Sequence, residues 1–131
     1  MNLAILEANK ALKHGDFPVG AVIVCNNKII SKGHNKKIRY NNAILHAELI
    51  ALYKACKKKK SWRLSDCSLY ITLEPCNMCF NAIIESRIAN VYYIADSDYI
   101  KTQNNSTKNV NKVKINDEYG YKETLNNFFD R

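Results

Sequence analysis

Two short segments of this chain carry side chains that bind metal ions: His46-Ala47-Glu48 and Pro75-Cys76-Asn77-Met78-Cys79. Imidazole and thiolate groups are typical zinc ligands, and a catalytic zinc site has three protein ligands and leaves its fourth position to water. Cys76 and Cys79 are three residues apart and face the same side if a helix starts there. Glu48 lies two residues after His46 and can reach that water without binding the metal. The residues therefore predict a catalytic zinc site with His46, Cys76 and Cys79 as ligands and Glu48 as its general base.

Two other kinds of site could use the same cysteines. A Cys-x-x-Cys pair also occurs in redox motifs and in structural zinc knuckles. A structural site needs a fourth protein ligand, and the sequence contains no second Cys-x-x-Cys and no His-x-x-x-His. A redox motif would leave His46 and Glu48 without a role. The catalytic site is therefore the favoured interpretation.

The bulk composition indicates one folded domain over residues 1–131, with 47% hydrophobic and 24% charged residues. Its 20 lysines and arginines exceed its 12 aspartates and glutamates, which gives a formal charge of +8. This charge is compatible with a polyanionic partner such as RNA, and equally with a lysine-rich surface that has no focused patch.

Four consecutive lysines, Lys57, Lys58, Lys59 and Lys60, follow a predicted helix. Cations are favoured at a helix C-terminus by the helix dipole alone. The same lysines could instead contact the phosphates of RNA. Both interpretations stay open from the sequence.

Three cysteines remain outside the zinc pair: Cys25, Cys56 and Cys67. Their odd number does not suggest a disulfide framework, so we expect them to be small buried hydrophobic residues in a reducing cytoplasm. Glu7 interrupts the apolar residues at the N-terminus, which is not the layout of a signal peptide. No stretch approaches the length of a transmembrane helix, so we expect no membrane association.

Hydrophobic periodicity places these residues on helices and strands. The predicted helices are 2–14, 46–57, 76–86 and 121–130, and the predicted strands are 20–24, 28–31, 69–73, 91–95 and 110–115. Asn26-Asn27 suits a two-residue hairpin turn, whereas 36–45 and 96–109 should be loops. Strands that alternate with helices predict a three-layer α/β/α domain around a mixed central sheet of about five strands. Both zinc-binding segments begin helices, whose N-termini favour thiolates.

Several longer motifs indicate a known family. They are Phe17-Pro18-Val19-Gly20-Ala21-Val22, Gly33-His34-Asn35, His46-Ala47-Glu48, Trp62-Arg63-Leu64, the run from Leu69 to Cys79, and Ser86-Arg87-Ile88. With their spacing, the chain resembles the cytidine deaminase superfamily, and within it the bacterial tRNA-specific adenosine deaminases. The similarity is dense from residue 1 to about 95.

The resemblance implies a cytidine deaminase-like fold and zinc-dependent deamination of adenosine to inosine at the wobble position of a tRNA anticodon loop. It also implies a homodimer. It makes Asn35 a hydrogen-bonding partner of the bound nucleoside, although this residue could instead only close a turn. The backbone amide of Ala47 would contact the substrate as well.

For several other residues, the sequence allows either a role in substrate binding or a role in core packing. Phe17, Val19 and Leu73 could form the apolar walls of the substrate pocket or belong to the core. Phe128 and Phe129 could stack on bases, but core packing is the favoured role for both, and a structural role is favoured for Trp62.

Two departures from the family pattern leave other activities open. Asn42-Ala43-Ile44-Leu45 replaces the usual Asp-Pro before the zinc histidine, and 96–105 lacks the glycine of a typical RNA-proximal loop. A deaminase of a free base or nucleoside, such as cytosine, guanine or cytidine, is the alternative enzyme. A non-enzymatic, zinc-stabilised RNA-binding protein is a third hypothesis, but such a protein would have no use for Glu48.

Overall fold

The computed structural model describes residues 1–97 and 110–130, and these ranges contain four helices and five strands. In chain order they are α1 (Asn2–Lys13), β1 (Gly20–Cys25), β2 (Lys28–His34), α2 (Ala47–Lys59), β3 (Cys67–Leu73), α3 (Asn77–Glu85), β4 (Asn90–Ala95), β5 (Asn111–Lys114) and α4 (Tyr121–Phe129). Each predicted element is confirmed in place. Most of the predicted loop 96–109 lies outside the described residues.

The five strands form one mixed sheet in the order β2-β1-β3-β4-β5. Strand β1 pairs antiparallel with both β2 and β3, whereas β3–β4 and β4–β5 are parallel. Asn26 and Asn27 join β1 to β2 with φ angles of 51° and 64°, the left-handed pair that a tight hairpin requires. Strand β2 runs three residues beyond its predicted end at Ser31, because Gly33 and His34 keep their pairing with β1.

Helices cover both faces of the sheet. Ile23, Leu69 and Ile71 of the sheet are fully buried in the larger core together with residues of α2 and α3, such as Ile83. On the other face, residues of α1, α4 and β4 form a smaller core. Tyr121 of α4 belongs to it. This arrangement confirms the predicted three-layer α/β/α fold. No helix among the described residues is long and apolar enough to cross a membrane.

Helix α2 lies directly on the backbone of β2, and Gly33 makes this approach possible. A Cβ atom added at Gly33 would lie 2.5 Å from the carbonyl oxygen of Ala47 and 3.0 Å from the backbone nitrogen of Ala51. The Ser31 hydroxyl donates a hydrogen bond of 2.8 Å to the Ala51 carbonyl in the same contact. Strand β2 therefore fixes the position of the first turns of α2, where His46 and Glu48 lie.

Helix α4 is anchored near the start of β1 by Tyr121. Its buried hydroxyl donates a hydrogen bond of 2.6 Å to the carbonyl oxygen of Pro18. The carboxylate of Asp117 accepts hydrogen bonds of 2.9 Å from the backbone N–H groups of Tyr121 and Lys122 at the start of the helix. These contacts place the C-terminal helix beside the segment that leads into β1.

Tyr121→Phe is expected to lower the free energy of unfolding by about 1–3 kcal/mol, because the Pro18 carbonyl would lose a buried hydrogen-bond partner. Urea unfolding followed by circular dichroism measures the change. Tyr53→Phe is the matched control, since Tyr53 is 71% exposed and should change stability by less than about 0.5 kcal/mol. Equal stability of both variants would show that the Tyr121 hydrogen bond contributes nothing.

Cys25 and Cys67 face each other in the β1–β3 pair and form a disulfide. Both are buried, as predicted, but the expectation that no disulfide forms is wrong for this pair. The two cysteines are 42 residues apart, and only the antiparallel register of two strands brings them together. Cys56 is half-buried and free.

Candidate active site

The three predicted zinc ligands meet where two helices begin. His46 is the N-cap of α2, Cys76 is the N-cap of α3, and Cys79 lies in the first turn of α3. The Nδ1 atom of His46 lies 3.8 Å from the Sγ atom of Cys76 and 3.4 Å from that of Cys79. The three ligand atoms all lie within 4.8 Å of one another.

These distances fit a zinc ion. Tetrahedral coordination with Zn–N of about 2.1 Å and Zn–S of about 2.3 Å separates nitrogen from sulfur by about 3.6 Å. Among the residues that the structure describes, this group has three members, and no further histidine, cysteine or acidic side chain supplies a fourth ligand. The donor set therefore matches a zinc site with one position left open.

Hydrogen bonding within the cluster already favours one thiolate. The hydrogen bond from the Cys79 thiol, aided by His46, lowers the pKa of Cys76 to about 4. The same hydrogen bond, together with burial, raises the pKa of Cys79. Both cysteines lie at the N-terminus of α3, where the helix dipole stabilises negative charge. Zinc ligation requires both thiolates, so metal binding displaces the proton that the pair retains.

Glu48 lies in the first turn of α2, and only 4% of its surface is exposed. Burial raises the pKa of Glu48 to about 7, and the nearby Cys76 thiolate acts in the same direction. The carboxyl group also hydrogen-bonds with Cys79. A carboxyl group that titrates near neutral pH can both accept and donate a proton, as a general acid–base catalyst must.

A cavity of about 230 Å³ opens onto this cluster. His46, Glu48 and Cys76 contribute to its lining. The cavity is smaller than the roughly 300–1,000 Å³ that is usual for ligand pockets. It nevertheless has room for a single planar ring system.

Asn35 lines the cavity and is hydrogen-bonded to the start of α2. Its Oδ1 atom accepts a hydrogen bond of 2.7 Å from the backbone N–H of Ala47. That N–H is directed to Asn35 here, and its predicted contact with the substrate stays a prediction. The Nδ2 group of Asn35 is left to donate a hydrogen bond into the cavity.

Val19 and Leu73 have both of the roles that the sequence left open. Each lines the cavity, and each also packs in the larger core. The same is true of Phe17, which is half-buried. The apolar walls of the cavity are thus continuous with the core.

The C-terminal helix contributes two residues to the site, and the sequence left a binding role open only for Phe129. Leu125 and Phe129 of α4 line the cavity. Phe129 is 61% exposed, so its predicted core role is wrong, whereas Phe128 is half-buried. Their ring centroids lie 5.8 Å and 5.2 Å from that of Phe17. No local sequence signal relates this helix to the zinc motifs, because the contact depends on how α4 packs.

Three polar residues that line the cavity were also not predicted from the sequence: Lys37, Glu74 and Ser97. The carboxylate of Glu74 accepts a hydrogen bond of 3.0 Å from the backbone N–H of Ser97 and pairs with Lys112. Glu74 directly precedes Pro75 and Cys76 in the sequence. This position beside a zinc ligand could have predicted that Glu74 lies close to the site.

The lysine run lies at the other end of α2. Helix α2 rises about 1.5 Å per residue, which puts Lys57–Lys60 about 15–20 Å from His46. Lys59 forms an ion pair with Asp66. Contact of this run with RNA stays a prediction. Trp62, which follows it, is 58% exposed and lies near two guanidinium groups, so it is not a core residue.

Comparisons with known proteins agree with this site. Residues 1–95 match the family model of the cytidine and deoxycytidylate deaminase zinc-binding region. A tRNA-specific adenosine deaminase from Bacillus subtilis is 44% identical over 93 residues, which are 71% of this chain and 58% of that protein. The protein of the same name from Rickettsia bellii is 45% identical over 108 residues, which are 80% of this chain and 74% of that protein.

One solved structure comes from a study of A-to-I editing by tRNA:A34 deaminases at the wobble position of transfer RNA. It superposes with a TM-score of 0.78 at 31% identity, over 87% of this chain and 94% of the other. This chain spans less than two thirds of the length of the Bacillus relative. The matched region nevertheless includes every predicted zinc ligand and Glu48. The chain therefore belongs to the cytidine and deoxycytidylate deaminase family and carries its zinc-binding region.

Proposed function

We propose that the chain is a zinc-dependent hydrolase that converts adenosine to inosine at the wobble position of a tRNA anticodon loop. The observation that carries this proposal is the buried carboxyl of Glu48 beside His46, Cys76 and Cys79, in a cavity sized for one base. The names of the relatives at 44% and 45% identity support the choice of adenosine in tRNA.

Bound zinc would be held by His46, Cys76 and Cys79 and would supply Lewis-acid activation of a water molecule. Glu48 accepts a proton from the attacking water and delivers it to N1 of adenine, while the oxygen adds to C6. Glu48 then accepts the proton of the new hydroxyl group and delivers it to the amino group. The C6–N6 bond breaks, ammonia leaves and inosine remains.

The other cavity residues orient the base. The Nδ2 group of Asn35 donates a hydrogen bond to an acceptor on the ring, because Oδ1 is held by Ala47. Val19 and Leu73 pack against the faces of the ring. A base in a single-stranded anticodon loop can enter this cavity without breaking a duplex.

An assay on defined substrates tests the proposal. The purified protein is incubated with an anticodon stem-loop that has adenosine at the wobble position, and ammonia and inosine are measured. We expect one ammonia per inosine, and no reaction when the adenosine is moved into the paired stem. Ammonia release from free guanine, cytosine or cytidine, with none from the stem-loop, would instead identify a free-base or nucleoside deaminase.

We further propose that the chain acts as a homodimer in the cytoplasm, where its tRNA substrate is found. An open apolar groove along α2 and α3 supports self-association. Tyr53 and Trp62 in this groove are 71% and 58% exposed. Light scattering after gel filtration should give twice the mass of the chain, and the mass of a single chain at micromolar concentration would contradict the dimer.

A further inference from the structure

Three cations follow Asn35 in the chain, and one of them lies at the cavity. We call Lys36, Lys37 and Arg39 the basic rim. Lys37 lines the cavity itself, and its Nζ atom lies 5.6 Å from the centre of the Phe17 ring. Ammonium groups at this distance are attracted to the face of an aromatic ring. Through Lys37, the rim therefore brings positive charge to the wall of the cavity.

A buried carboxylate holds the backbone of the rim. Asp16 is fully buried, and its Oδ2 atom accepts hydrogen bonds of 3.0 Å and 3.2 Å from the backbone N–H groups of Ile38 and Arg39. Its Oδ1 atom accepts a hydrogen bond of 2.9 Å from the N–H of Phe17. Asp16 thus ties the rim to the cavity wall. A positively charged surface on a fixed backbone loses less conformational entropy when it binds a ligand.

The charges of the rim are not neutralised within the described part of the chain. The ion pairs there use other cations, such as Lys10, Lys59, Lys112 and Lys114. Lys36 and Arg39 instead lie 5.9 Å and 5.3 Å from the ring centre of Tyr40, which is exposed. Positive charge without a carboxylate partner is typical of surfaces that bind phosphate groups.

The position of the cavity gives the rim its ligand. A base that reaches His46, Cys76 and Glu48 through the cavity has its sugar and phosphates towards the mouth, and Lys37 lines the same cavity. A free base would leave these cations without a partner. We propose that the basic rim binds the backbone phosphates of the RNA strand on either side of the target adenosine, with Lys37 on the phosphate nearest the cavity. This proposal rests on the proposed function and specifies which surface selects RNA over free bases.

The test compares two variants that lose the same charge. The rim variant is Lys36→Gln/Lys37→Gln/Arg39→Gln, and the control is Lys13→Gln/Lys28→Gln/Lys32→Gln, three exposed lysines of α1 and β2 that do not line the cavity. The dissociation constant of a fluorescent anticodon stem-loop is measured from 50 to 200 mM salt. Each phosphate contact to a single strand contributes about −0.7 to the slope of log K against log salt. We expect the rim variant to lose about 2 units of slope and about 100-fold in affinity at 0.1 M salt.

The affinity of the control variant for the stem-loop should be within about threefold of that of the unmodified protein, with the same salt slope. Both variants should retain zinc and the far-ultraviolet circular dichroism spectrum. Lys37→Arg should restore most of the affinity that Lys37→Gln loses, because arginine also binds phosphate. Unchanged affinity and slope in the rim variant would overturn the proposal, as would an equal loss in the control. Failure of the proposed function is distinguishable, because it is measured by ammonia release from the stem-loop with the unmodified protein, whereas the rim is tested by the affinity and salt dependence of binding.

Discussion

Glu48→Gln is expected to lower kcat by about 10²–10⁴-fold and to leave zinc bound. The amide keeps the shape of the side chain but cannot accept the proton of the attacking water. The three zinc ligands are separate residues, so the metal should stay in place. Zinc is measured by mass spectrometry of the purified variant, and kcat by inosine formation in the stem-loop.

Glu7→Gln provides the matched control for this variant. Glu7 is also a buried glutamate, but it lies on α1 and hydrogen-bonds with His34 and Lys10. Its loss should reduce stability and leave kcat nearly unchanged. Full turnover in Glu48→Gln would contradict the mechanism, and loss of zinc from it would mean that Glu48 helps to hold the metal.

Each half of the zinc centre could be predicted from the sequence because its geometry is local. His46 and Glu48 share the start of one helix, and Cys76 and Cys79 share the start of another, so spacing alone fixes their relative directions. The order of helices and strands was predictable for a similar reason, since hydrophobic periodicity reports which side of each element is buried.

Contacts that depend on tertiary packing could not be predicted in this way. The Cys25–Cys67 disulfide requires the register of two strands, and the contact between Phe129 and the cavity requires the docking of α4. The hydrogen bond from the Ala47 amide to Asn35 spans 12 residues of the chain, and the family resemblance, which implied a substrate contact for this amide, could not reveal it. No local signal distinguishes Lys37 from the other lysines, because its place at the cavity depends on tertiary packing.

Gly33→Ala is expected to reduce kcat by about 10²-fold and to weaken zinc binding, although Gly33 touches neither zinc nor substrate. The new Cβ atom would lie 2.5 Å from the Ala47 carbonyl, so β2 and α2 must separate by roughly 1 Å to reach van der Waals contact. A displacement of that size at catalytic groups costs about 10²-fold in rate. His46 and Glu48 lie at the end of α2 that must move, whereas Cys76 and Cys79 belong to α3.

Overpacking of this kind also lowers the free energy of unfolding by about 1–3 kcal/mol, so lost stability and a displaced site must be told apart. Gly15→Ala is the control, because Gly15 has a φ angle of +75° and no atom within 4 Å of an added Cβ. This variant should lose about 1–2 kcal/mol through backbone strain and keep kcat and zinc affinity. Both variants are assayed well below their melting temperatures, with zinc affinity measured by competition with a chelator. If Gly33→Ala matched Gly15→Ala in kcat and zinc affinity, β2 would not be what positions His46 and Glu48.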